Sequence, residues 1–396
     1  MRAMQSLDNA ISQVCERVRA AHADGHSLRI RGGGSKNFYT GLAQAPLPAG
    51  AAPAQWLDTR PLSGVVSYEP SELVVVVGAG TPLAELEALL ADKGQYLPFE
   101  PPHFSSPDAV AAATVGGMVA CGLAGPGRAS VGSVRDYVLG VRMVNGRAQS
   151  LTFGGQVMKN VAGYDVSRLM AGALGTLGVL TELSLKVLPQ PVAQATLVFE
   201  VEQAAALEHL HTWGGRPLPL NASTWQAEAA GGPGRGGRLT LRLRGAEAAV
   251  VAASQQLLAA LPGQRLDAPQ AAAFWQACRD HTLDFFQQPP FAGAQLWRLS
   301  VPQTAPVSAP DFAHALTEWH GGQRWLWAEP GRADHLVHLA QTLGGHAQAF
   351  AARSYGDRAP PRLANAQPAQ ADIARRLKLS FDPHALFNPG LTPYAN

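Results

Sequence analysis

The sequence predicts an α+β protein in two parts, of which the first is rich in glycine clusters and the second in tryptophan. As far as about residue 190, short apolar strands and helices alternate with the glycine clusters. Between 191 and about 365 strands and helices alternate with few such clusters, and seven of the eight tryptophans fall there. Because a composition shift of this kind separates domains, we expect a domain boundary near residue 190.

Composition and charge exclude several classes of protein. With 46% hydrophobic and 15% charged residues the chain is not disordered, and a net charge of +2 argues against nucleic-acid binding and against electrostatic docking to membranes. Cys15, Cys121 and Cys278 are widely separated and form no CxxC, which excludes an iron–sulfur cluster or a cysteine-built zinc site. The N-terminus lacks the apolar core of a secretory signal, so we expect a reduced, cytoplasmic protein.

One uncharged stretch, 109–127, is formally long enough to span a membrane. It contains five glycines and Pro126, and its alanines and glycines contribute little transfer free energy. This composition favours a buried glycine-rich turn.

In the first part, apolar Ile11, Val14 and Val18 share one face of a predicted helix. Asn145-Gly146 between two apolar runs predicts a hairpin. The predicted elements are a helix at 7–23, strands at 27–31 and 74–77, a helix at 83–93, hairpin strands at 138–144 and 148–153, and a half-buried strand at 180–188.

The second part predicts a ferredoxin-like α+β cap, one sheet covered by helices, because strand–helix–strand patterns occur there twice. The first set is strand 195–202, helix 203–212, strand 221–226, loop 231–237, strand 238–244 and helix 246–261. The second set is strand 296–301, helix 311–319, strand 324–328, helix 333–343 and strand 346–353.

Gly78-Ala79-Gly80 follows a predicted strand and precedes a helix, as a dinucleotide-binding fingerprint does. The third glycine of that fingerprint is replaced by Leu83, and no acidic ribose partner follows at the required distance. An ordinary strand-to-helix turn is therefore the preferred interpretation.

Three further clusters are rich in glycine. Arg31-Gly32-Gly33-Gly34-Ser35-Lys36 has the bare backbone and the cations of a phosphate-binding loop, but not the residue order of a Walker A loop; a glycine-rich surface turn is the alternative. Thr114-Val115-Gly116-Gly117 suits close approach to a flat ligand or close helix–sheet packing. The third cluster, 172–179, follows the segment 159–165 and leads into the strand at 180–188.

These clusters, in this order, resemble the PCMH-type FAD-binding domain of the vanillyl-alcohol oxidase/p-cresol methylhydroxylase superfamily. The tail 381–390 resembles the C-terminal signature of the glycolate oxidase and D-lactate dehydrogenase branch. Within that branch, the segments 97–102, 132–136 and 154–160 look like the E-subunit family of bacterial glycolate oxidases.

The resemblance implies an FAD-binding domain at 1–190 with α+β subdomains at about 1–60 and 61–190, a cap at 191–365, and a segment at 366–396 that returns to the FAD domain. It also implies oxidation of glycolate to glyoxylate within a complex that includes a sister FAD-linked subunit and an iron–sulfur subunit. Any membrane association would be peripheral, at the inner membrane, and made through the complex.

The resemblance further assigns residues to the cofactor. Those carried over are Arg31, Gly32, Gly33, Gly34, Ser35 and Lys36 for the pyrophosphate, Thr114, Val115, Gly116 and Gly117 for the ribityl and flavin region, Ser133, Arg135 and Asp136 for the adenosine side, Gly178 and Val179 beside the ring, and Pro98 and Asn388. Many family members attach FAD through a histidine that this loop lacks, so we expect non-covalent FAD.

Substrate chemistry is less clearly encoded. The catalytic relatives carry a His-Gly-Asp-Gly-Asn motif that is absent here, and His335, His338 and His346 look like surface or packing residues. Arg298, on an apolar strand, is the candidate for binding a substrate carboxylate; an ion pair inside the cap is the alternative. No catalytic base is evident, although oxidation of a small 2-hydroxy acid requires one.

Three functions therefore remain open. The chain binds FAD and supports or relays electrons for a sister flavoprotein subunit, or it is a self-sufficient FAD-linked 2-hydroxy-acid dehydrogenase, or it is a scaffold whose FAD site has decayed. The tryptophan-rich cap is a core or a docking face for partner subunits.

Overall fold

The computed structural model describes residues 2–41, 45, 47, 52–104, 112–155, 165–228, 236–307, 314–350 and 368–391. The chain forms two compact units. Unit 1 comprises Met1–Ala124, Ser133–Gln190 and Asn365–Asn396, and unit 2 comprises Gly125–Gly132 and Pro191–Ala364.

Thirteen helices and seventeen strands lie in the described residues. The helices are α1 (Arg2–Ala23), α2 (Asn37–Thr40), α3 (Leu83–Ala91), α4 (Val115–Cys121), α5 (Arg128–Val131), α6 (Val134–Tyr137), α7 (Val166–Leu169), α8 (Gln203–Gly214), α9 (Glu247–Ala260), α10 (Ala268–Asp280), α11 (Asp284–Gln287), α12 (Ala333–Thr342) and α13 (Pro368–Phe381). The strands are β1 (Leu28–Arg31), β2 (Gln55–Asp58), β3 (Val65–Glu69), β4 (Val74–Gly78), β5 (Gln95–Tyr96), β6 (Val138–Val144), β7 (Ser150–Gly154), β8 (Val179–Lys186), β9 (Leu188–Pro189), β10 (Ala193–Glu202), β11 (Leu220–Ala227), β12 (Gly236–Gly245), β13 (Gly263–Arg265), β14 (Gln295–Ser300), β15 (Ala315–Glu318), β16 (Gln323–Ala328) and β17 (His346–Ala349).

Unit 1 contains a small parallel sheet packed against its N-terminal helix. The strands β1 and β2 pair in parallel, and Phe387 near the C-terminus forms a parallel bridge with Leu28. The predicted apolar face of α1, with Ile11, Val14 and Val18, is buried in the same cluster as Leu28 and Phe387. The amphipathic helix is thus confirmed, although it begins at Arg2.

The second sheet of unit 1 has five antiparallel strands in the order β3-β4-β8-β6-β7. Every residue of β4 is buried because the strand is central and covered on both faces. Gly78-Ala79-Gly80 leads from β4 towards α3, and because this sheet is antiparallel the turn is not a doubly wound dinucleotide site. The predicted hairpin around Asn145-Gly146 is present as β6 and β7.

Unit 2 is built on one eight-stranded sheet in the order β13-β10-β12-β11-β15-β16-β14-β17. Its two halves each have the strand order 4-1-3-2 when their strands are numbered along the chain, which is the order of a ferredoxin-like unit. They join edge to edge where β11 pairs with β15. Two ferredoxin-like halves therefore share one continuous antiparallel sheet.

One predicted helix of unit 2 is wrong. The segment 311–319 was expected to be helical, but residues 315–318 form the strand β15, and a 3₁₀ turn at Trp319–Gly321 follows. All four residues of β15 are buried because the strand lies in the middle of the sheet. Polar Thr317 and Glu318 are buried along with their apolar neighbours, so burial does not follow an alternation of apolar and polar residues, and the pattern does not distinguish a strand from a helix.

The helices α10 and α11 were not predicted from the sequence. The start of α10 carries a local signal, because the Asp267 carboxylate accepts a hydrogen bond from the Gln270 N–H at 2.8 Å and Pro269 lies in the first turn. Trp275 of α10 donates to the Thr196 hydroxyl at 2.9 Å, which fixes this helix against β10.

The described residues contain no helix that is long and apolar enough to cross a membrane. Within the stretch 109–127 the helix α4 is seven residues long and ends at Gly122, which has a φ of 63°. The predicted glycine-rich turn is confirmed for residues 112–127; residues 109–111 lie outside the described ranges, as do most of the segments 154–160 and 159–165.

Candidate functional site

A pocket opens in unit 1 where the loop after β1, the first turn of α4, the turn before β8 and the C-terminal segment meet, with about 720 Å³ of empty space when the solvent at its mouth is included. It is lined by Ile30, Arg31, Gly32, Gly33, Gly34, Ser35, Lys36, Asn37, Thr40, Thr59, Ala79, Thr114, Gly116, Gly117, Ala120, Cys121, Leu174, Gly175, Gly178, Leu180, Asn388 and Leu391.

The first wall is the loop that follows β1. A side chain at Gly33 would overlap the carbonyl oxygen of Ala112, and Gly34 has a φ of 80°, so the loop requires glycine at these positions. Thr59, directly after β2, donates its N–H to the Arg31 carbonyl at 2.9 Å and fixes the start of the loop. The loop therefore presents main chain towards the pocket.

The charged side chains of the described pocket lining are all positive. Arg31 and Lys36 line the pocket, and no Asp or Glu belongs to the described lining. Lys36 is only 7% exposed, with its Nζ 5.8 Å from the centre of the Phe104 ring, and the Arg31 guanidinium lies 4.8 Å over the Trp56 ring. Because both charged side chains of the described lining are cations, the electrostatic potential in the pocket favours an anionic ligand.

The second wall is the N-terminal turn of α4. Thr114 caps this helix, accepting a hydrogen bond from the Gly117 N–H at 3.2 Å. Gly116 donates its N–H to the Ala79 carbonyl at 2.7 Å, and a β-carbon at Gly116 would lie 2.8 Å from the β-carbon of Ala79. Close packing of α4 on the turn after β4 thus explains why this position is glycine.

The third wall is the turn before β8, which Asn388 holds against β1. The Asn388 Oδ1 accepts from the Ile30 N–H at 2.7 Å, and its Nδ2 donates to the Leu174 carbonyl at 2.6 Å. Gly175, with a φ of 68°, passes so close that a β-carbon would lie 2.8 Å from the Asn388 Nδ2. One amide therefore joins two walls of the pocket.

Eleven of the predicted cofactor residues line this pocket: Arg31, Gly32, Gly33, Gly34, Ser35, Lys36, Thr114, Gly116, Gly117, Gly178 and Asn388. Val115 and Val179 adjoin it in sequence, but their side chains are fully buried in the cores of unit 1. Pro98, Ser133, Arg135 and Asp136 lie in unit 1 and are not among the lining residues.

Ser133 and Asp136 form the capping box of α6. The Asp136 Oδ2 accepts from the Ser133 N–H at 2.8 Å and from its hydroxyl at 2.9 Å. Burial raises the pKa of the Asp136 carboxyl, but these hydrogen bonds and the charge of Arg135 outweigh it, so that the pKa lies below its ordinary value. The Asp136 carboxylate is ionised, and its hydrogen bonds to Ser133 hold the N-terminus of α6.

Several lining residues were missed from the sequence. Asn37 directly follows the predicted loop, and Gly175 lies inside the predicted cluster 172–179, so both carried a local signal. Thr59 carried none, because it reaches the pocket through the pairing of β2 with β1. Ala79 lies in the glycine turn that was interpreted as an ordinary strand-to-helix turn, and the packing of α4 on that turn brings it to the pocket.

Arg298 lies in unit 2, on β14, and is not part of the pocket lining. Its Nη2 donates to the Gln348 Oε1 at 2.7 Å, and no carboxylate of the described residues lies within ion-pair distance of it. Burial, together with the charge of Arg298, lowers the pKa of His281 to about 3 and that of His346 below its ordinary value. Arg298 is thus paired with a neutral amide.

A buried carboxyl also lies in unit 2. Burial raises the pKa of Glu318 to about 7, although hydrogen bonds from the Trp325 Nε1 at 2.6 Å and the Gln323 Nε2 at 2.9 Å oppose the shift. Glu318 is 3% exposed, so the group is enclosed within the sheet.

The pocket of unit 1 fits a dinucleotide flavin. Glycine main chain, two cations and the absence of a carboxylate from the described lining suit a pyrophosphate, and Leu174, Leu180 and Leu391 add apolar surface for a ring. Residues 9–154 match the FAD binding domain family. FAD is therefore the cofactor of this chain.

Two of the proteins that this chain resembles are glycolate oxidase subunits, and a solved structure that it resembles is a synthase. Glycolate oxidase subunit GlcE of Escherichia coli (strain K12) is 40% identical over 380 residues, which are 95% of each chain. Glycolate oxidase subunit GlcD of Bacillus subtilis (strain 168) is 30% identical over 147 residues, 37% of this chain and 30% of that relative. An alkyldihydroxyacetonephosphate synthase structure matches with a TM-score of 0.59 and 16% identity, covering 95% of this chain and 74% of that one.

The solved structure confirms the predicted α+β fold class over nearly the whole length. Because the match to GlcE is 40% identical and covers 95% of both chains, the predicted resemblance is confirmed as well. This chain belongs to the family of the glycolate oxidase subunit GlcE.

Proposed function

We propose that this chain is an FAD-binding subunit of a glycolate oxidase complex, which oxidises glycolate to glyoxylate. The observation that carries the proposal is the pocket of unit 1, whose described lining has two cations, bare glycine main chain and no carboxylate, in a chain 40% identical to GlcE along 95% of its length. In this complex the chain supports or relays electrons for a sister FAD-linked subunit.

The residues of the pocket divide between the parts of the cofactor. Arg31 and Lys36, with the N–H groups of the glycines between them, would hold the pyrophosphate. Thr114, with Val115 to Gly117, would line the ribityl and flavin region, and the main chain at Gly178 and Val179 would lie beside the ring. Bound flavin supplies a two-electron acceptor for the oxidation of an alcohol carbon.

The remaining predicted residues have weaker support. Ser133, Arg135 and Asp136 would act on the adenosine side, and the capping box gives Ser133 and Asp136 a structural role as well. Pro98 lies outside the described lining. Non-covalent attachment is supported by a lining in which no histidine occurs among the described residues.

The partners follow from what the sequence lacks. Three separated cysteines form no CxxC motif, so electrons leaving a flavin would need another subunit to carry them. GlcD, a glycolate oxidase subunit by name, matches 147 residues of this chain and is the model for the sister flavoprotein; an iron–sulfur subunit would complete the relay. Any association with the inner membrane would be made through these partners.

The test is an absorbance spectrum of the purified chain before and after the addition of glycolate without oxygen. We expect flavin absorbance, release of free FAD by acid, and slow bleaching by glycolate that becomes fast when the sister subunit is added. A colourless chain that does not take up FAD would overturn the proposal, and flavin that stays with the unfolded chain would overturn non-covalent binding. Rapid bleaching by the isolated chain would favour the second candidate.

The second candidate is a self-sufficient FAD-linked 2-hydroxy-acid dehydrogenase. Arg298 favours it, because its hydrogen-bond partner is the neutral Gln348 and no carboxylate of the described residues is within ion-pair distance, which leaves its charge available to a substrate carboxylate. In this case Arg298→Ala would abolish bleaching by the isolated chain, whereas the exposed Arg265→Ala would not. Equal bleaching by both variants would remove Arg298 from substrate binding.

A further inference from the structure

The C-terminal segment holds a buried ion pair outside the pocket. Lys378, on the last turn of α13, directs its Nζ to three acceptors, the Asp382 Oδ2 at 2.6 Å, the Thr176 carbonyl at 2.6 Å and the Phe387 carbonyl at 2.9 Å. Three acceptors match the three protons of an ammonium group. Neither Lys378 nor Asp382 lines the pocket.

Asp382 orders the chain that follows it. It is 1% exposed, and besides Lys378 it accepts from the Leu386 N–H at 3.0 Å and the Phe387 N–H at 2.8 Å. These hydrogen bonds set the turn that brings residues 386–388 beside β1. There the Leu28 N–H donates to the Leu386 carbonyl at 2.7 Å, and the Asn388 N–H donates to the Leu28 carbonyl at 2.8 Å.

The ion pair thereby connects two walls of the pocket. On one side it fixes Asn388, which bonds to Ile30 immediately before the loop that begins at Arg31. On the other side Lys378 holds the Thr176 carbonyl, in the turn that presents Leu174 and Gly175 to the pocket. A single buried pair is thus hydrogen-bonded both to the turn before β8 and to the segment that leads to Asn388.

We propose that Lys378 and Asp382 are positioning residues for FAD, a clasp that holds the loop after β1 and the turn before β8 at the spacing the cofactor needs. The inference rests on the proposed FAD site. According to this inference, the clasp affects the affinity for FAD as well as the stability of the fold. A ligand that contacts both walls binds only those molecules in which both walls are in place, so its apparent Kd rises as that fraction falls.

The experiment measures the Kd of the full-length apo chain for FAD, by quenching of flavin fluorescence, in Lys378→Met, in the milder Lys378→Gln and in Asp382→Asn. If loss of the clasp leaves about one molecule in ten with both walls in place, the Kd rises about tenfold. We expect the Kd for FAD to be lowest in the wild type, higher in Lys378→Gln and highest in Lys378→Met. Glutamine retains hydrogen-bond donors for part of the network, whereas methionine retains none. Visible circular dichroism of bound FAD should change in the same order.

The control variant is Leu90→Ala, which removes a fully buried side chain near the end of α3 and lowers the stability of unit 1 while both clasp residues are kept. Each Kd is measured at a temperature where the variant is folded. We expect Leu90→Ala to lower Tm while leaving the Kd for FAD at the wild-type value. Clasp variants that lower Tm and leave the Kd unchanged would overturn the inference.

A second measurement needs no cofactor. In the apo chain, hydrogen exchange at the Ile30 N–H, which donates to Asn388, should accelerate in Lys378→Gln and not in Leu90→Ala. Equal exchange in the two variants would show that the clasp does not hold this wall. If the chain takes up no FAD, the proposed function fails. If Lys36→Met raises the Kd while the clasp variants keep the wild-type Kd, the proposed site stands and the clasp inference fails.

Discussion

Replacement of Lys36 by methionine tests the charge of the pocket most directly. Lys36 is 7% exposed, and Arg31 is the only other charged residue among the described lining residues. Methionine keeps most of the length and apolar volume of the side chain and removes the charge. We expect the variant to bind FAD more weakly while the apo chain keeps its fold and its thermal stability.

The magnitude follows from burial. Two unit charges about 4 Å apart attract by about 4 kcal/mol at an effective dielectric constant of about 20. Desolvation of the lysine and the phosphate offsets part of this, and hydrogen bonds to charged groups contribute about 1.5–3 kcal/mol net. We therefore expect the Kd for FAD to rise about 10- to 150-fold.

The assay is titration of the apo protein with FAD at two salt concentrations. Lys93→Met is the matched control, because Lys93 is exposed after the end of α3 and does not line the pocket. The reasoning is refuted if Lys36→Met and Lys93→Met have the same Kd, or if the salt dependence of FAD binding is the same in Lys36→Met and the wild type.

Three further outcomes are expected. Gly33→Ala should abolish FAD binding, since the added β-carbon would overlap a backbone carbonyl and displace the loop. The flavin content of the purified variant measures this effect, and Gly214→Ala is the control because a β-carbon at Gly214 would have no atom within 4 Å. Trp56→Leu should raise the Kd for FAD about two- to fivefold, because an exposed cation–π contact that holds Arg31 is worth about 0.5–1 kcal/mol; an unchanged Kd would mean that the ring does not orient Arg31. Glu318→Gln should flatten the pH dependence of the stability of unit 2.

The sign of the Glu318 effect follows from the raised pKa of its carboxyl. Between about pH 4.5 and 7 the folded state binds a proton that the unfolded state releases, so this group makes the free energy of unfolding fall as pH rises through that window. Glutamine can accept the same hydrogen bonds without titrating. Tryptophan fluorescence in urea reports on unit 2, which holds seven of the eight tryptophans, and an identical pH slope in both proteins would contradict the prediction.

The part of the site that could be predicted is the part encoded locally. The loop from Arg31 to Lys36 was predicted because its glycines and cations are adjacent in sequence, and the first turn of α4 because Thr114 and the glycines of its cap are adjacent too. Thr59 reaches the pocket only through the pairing of β2 with β1. Asn388 was expected only from the resemblance, since nothing near it in the sequence indicates a partner at Ile30.

The fold shows the same division. The hairpin at Asn145-Gly146 and the amphipathic α1 have local signatures and were predicted. The strand β15 was mistaken for a helix because polar Thr317 and Glu318 are buried along with their apolar neighbours, so burial does not follow an alternation of apolar and polar residues. The joining of two ferredoxin-like halves through β11 and β15 depends on three backbone-paired positions, such as Thr224 with Glu318, that no local pattern specifies.

The chemistry of the pocket lining bears on which subunit oxidises the substrate. Removal of a hydroxyl proton at neutral pH needs a base whose pKa lies near the working pH. The described lining of the pocket contains no His, Asp or Glu, and its only ionisable groups are Arg31, Lys36 and the buried Cys121 thiol. Such a lining can bind and orient a flavin, but the proton has to be accepted by a group outside it. Such a lining supports the proposed division of labour, in which a subunit with no base in the described lining of its cofactor pocket exchanges electrons with a sister flavoprotein that supplies one. If so, the pH profile of flavin reduction in the complex will change with substitutions in the sister subunit and not with Lys36→Met.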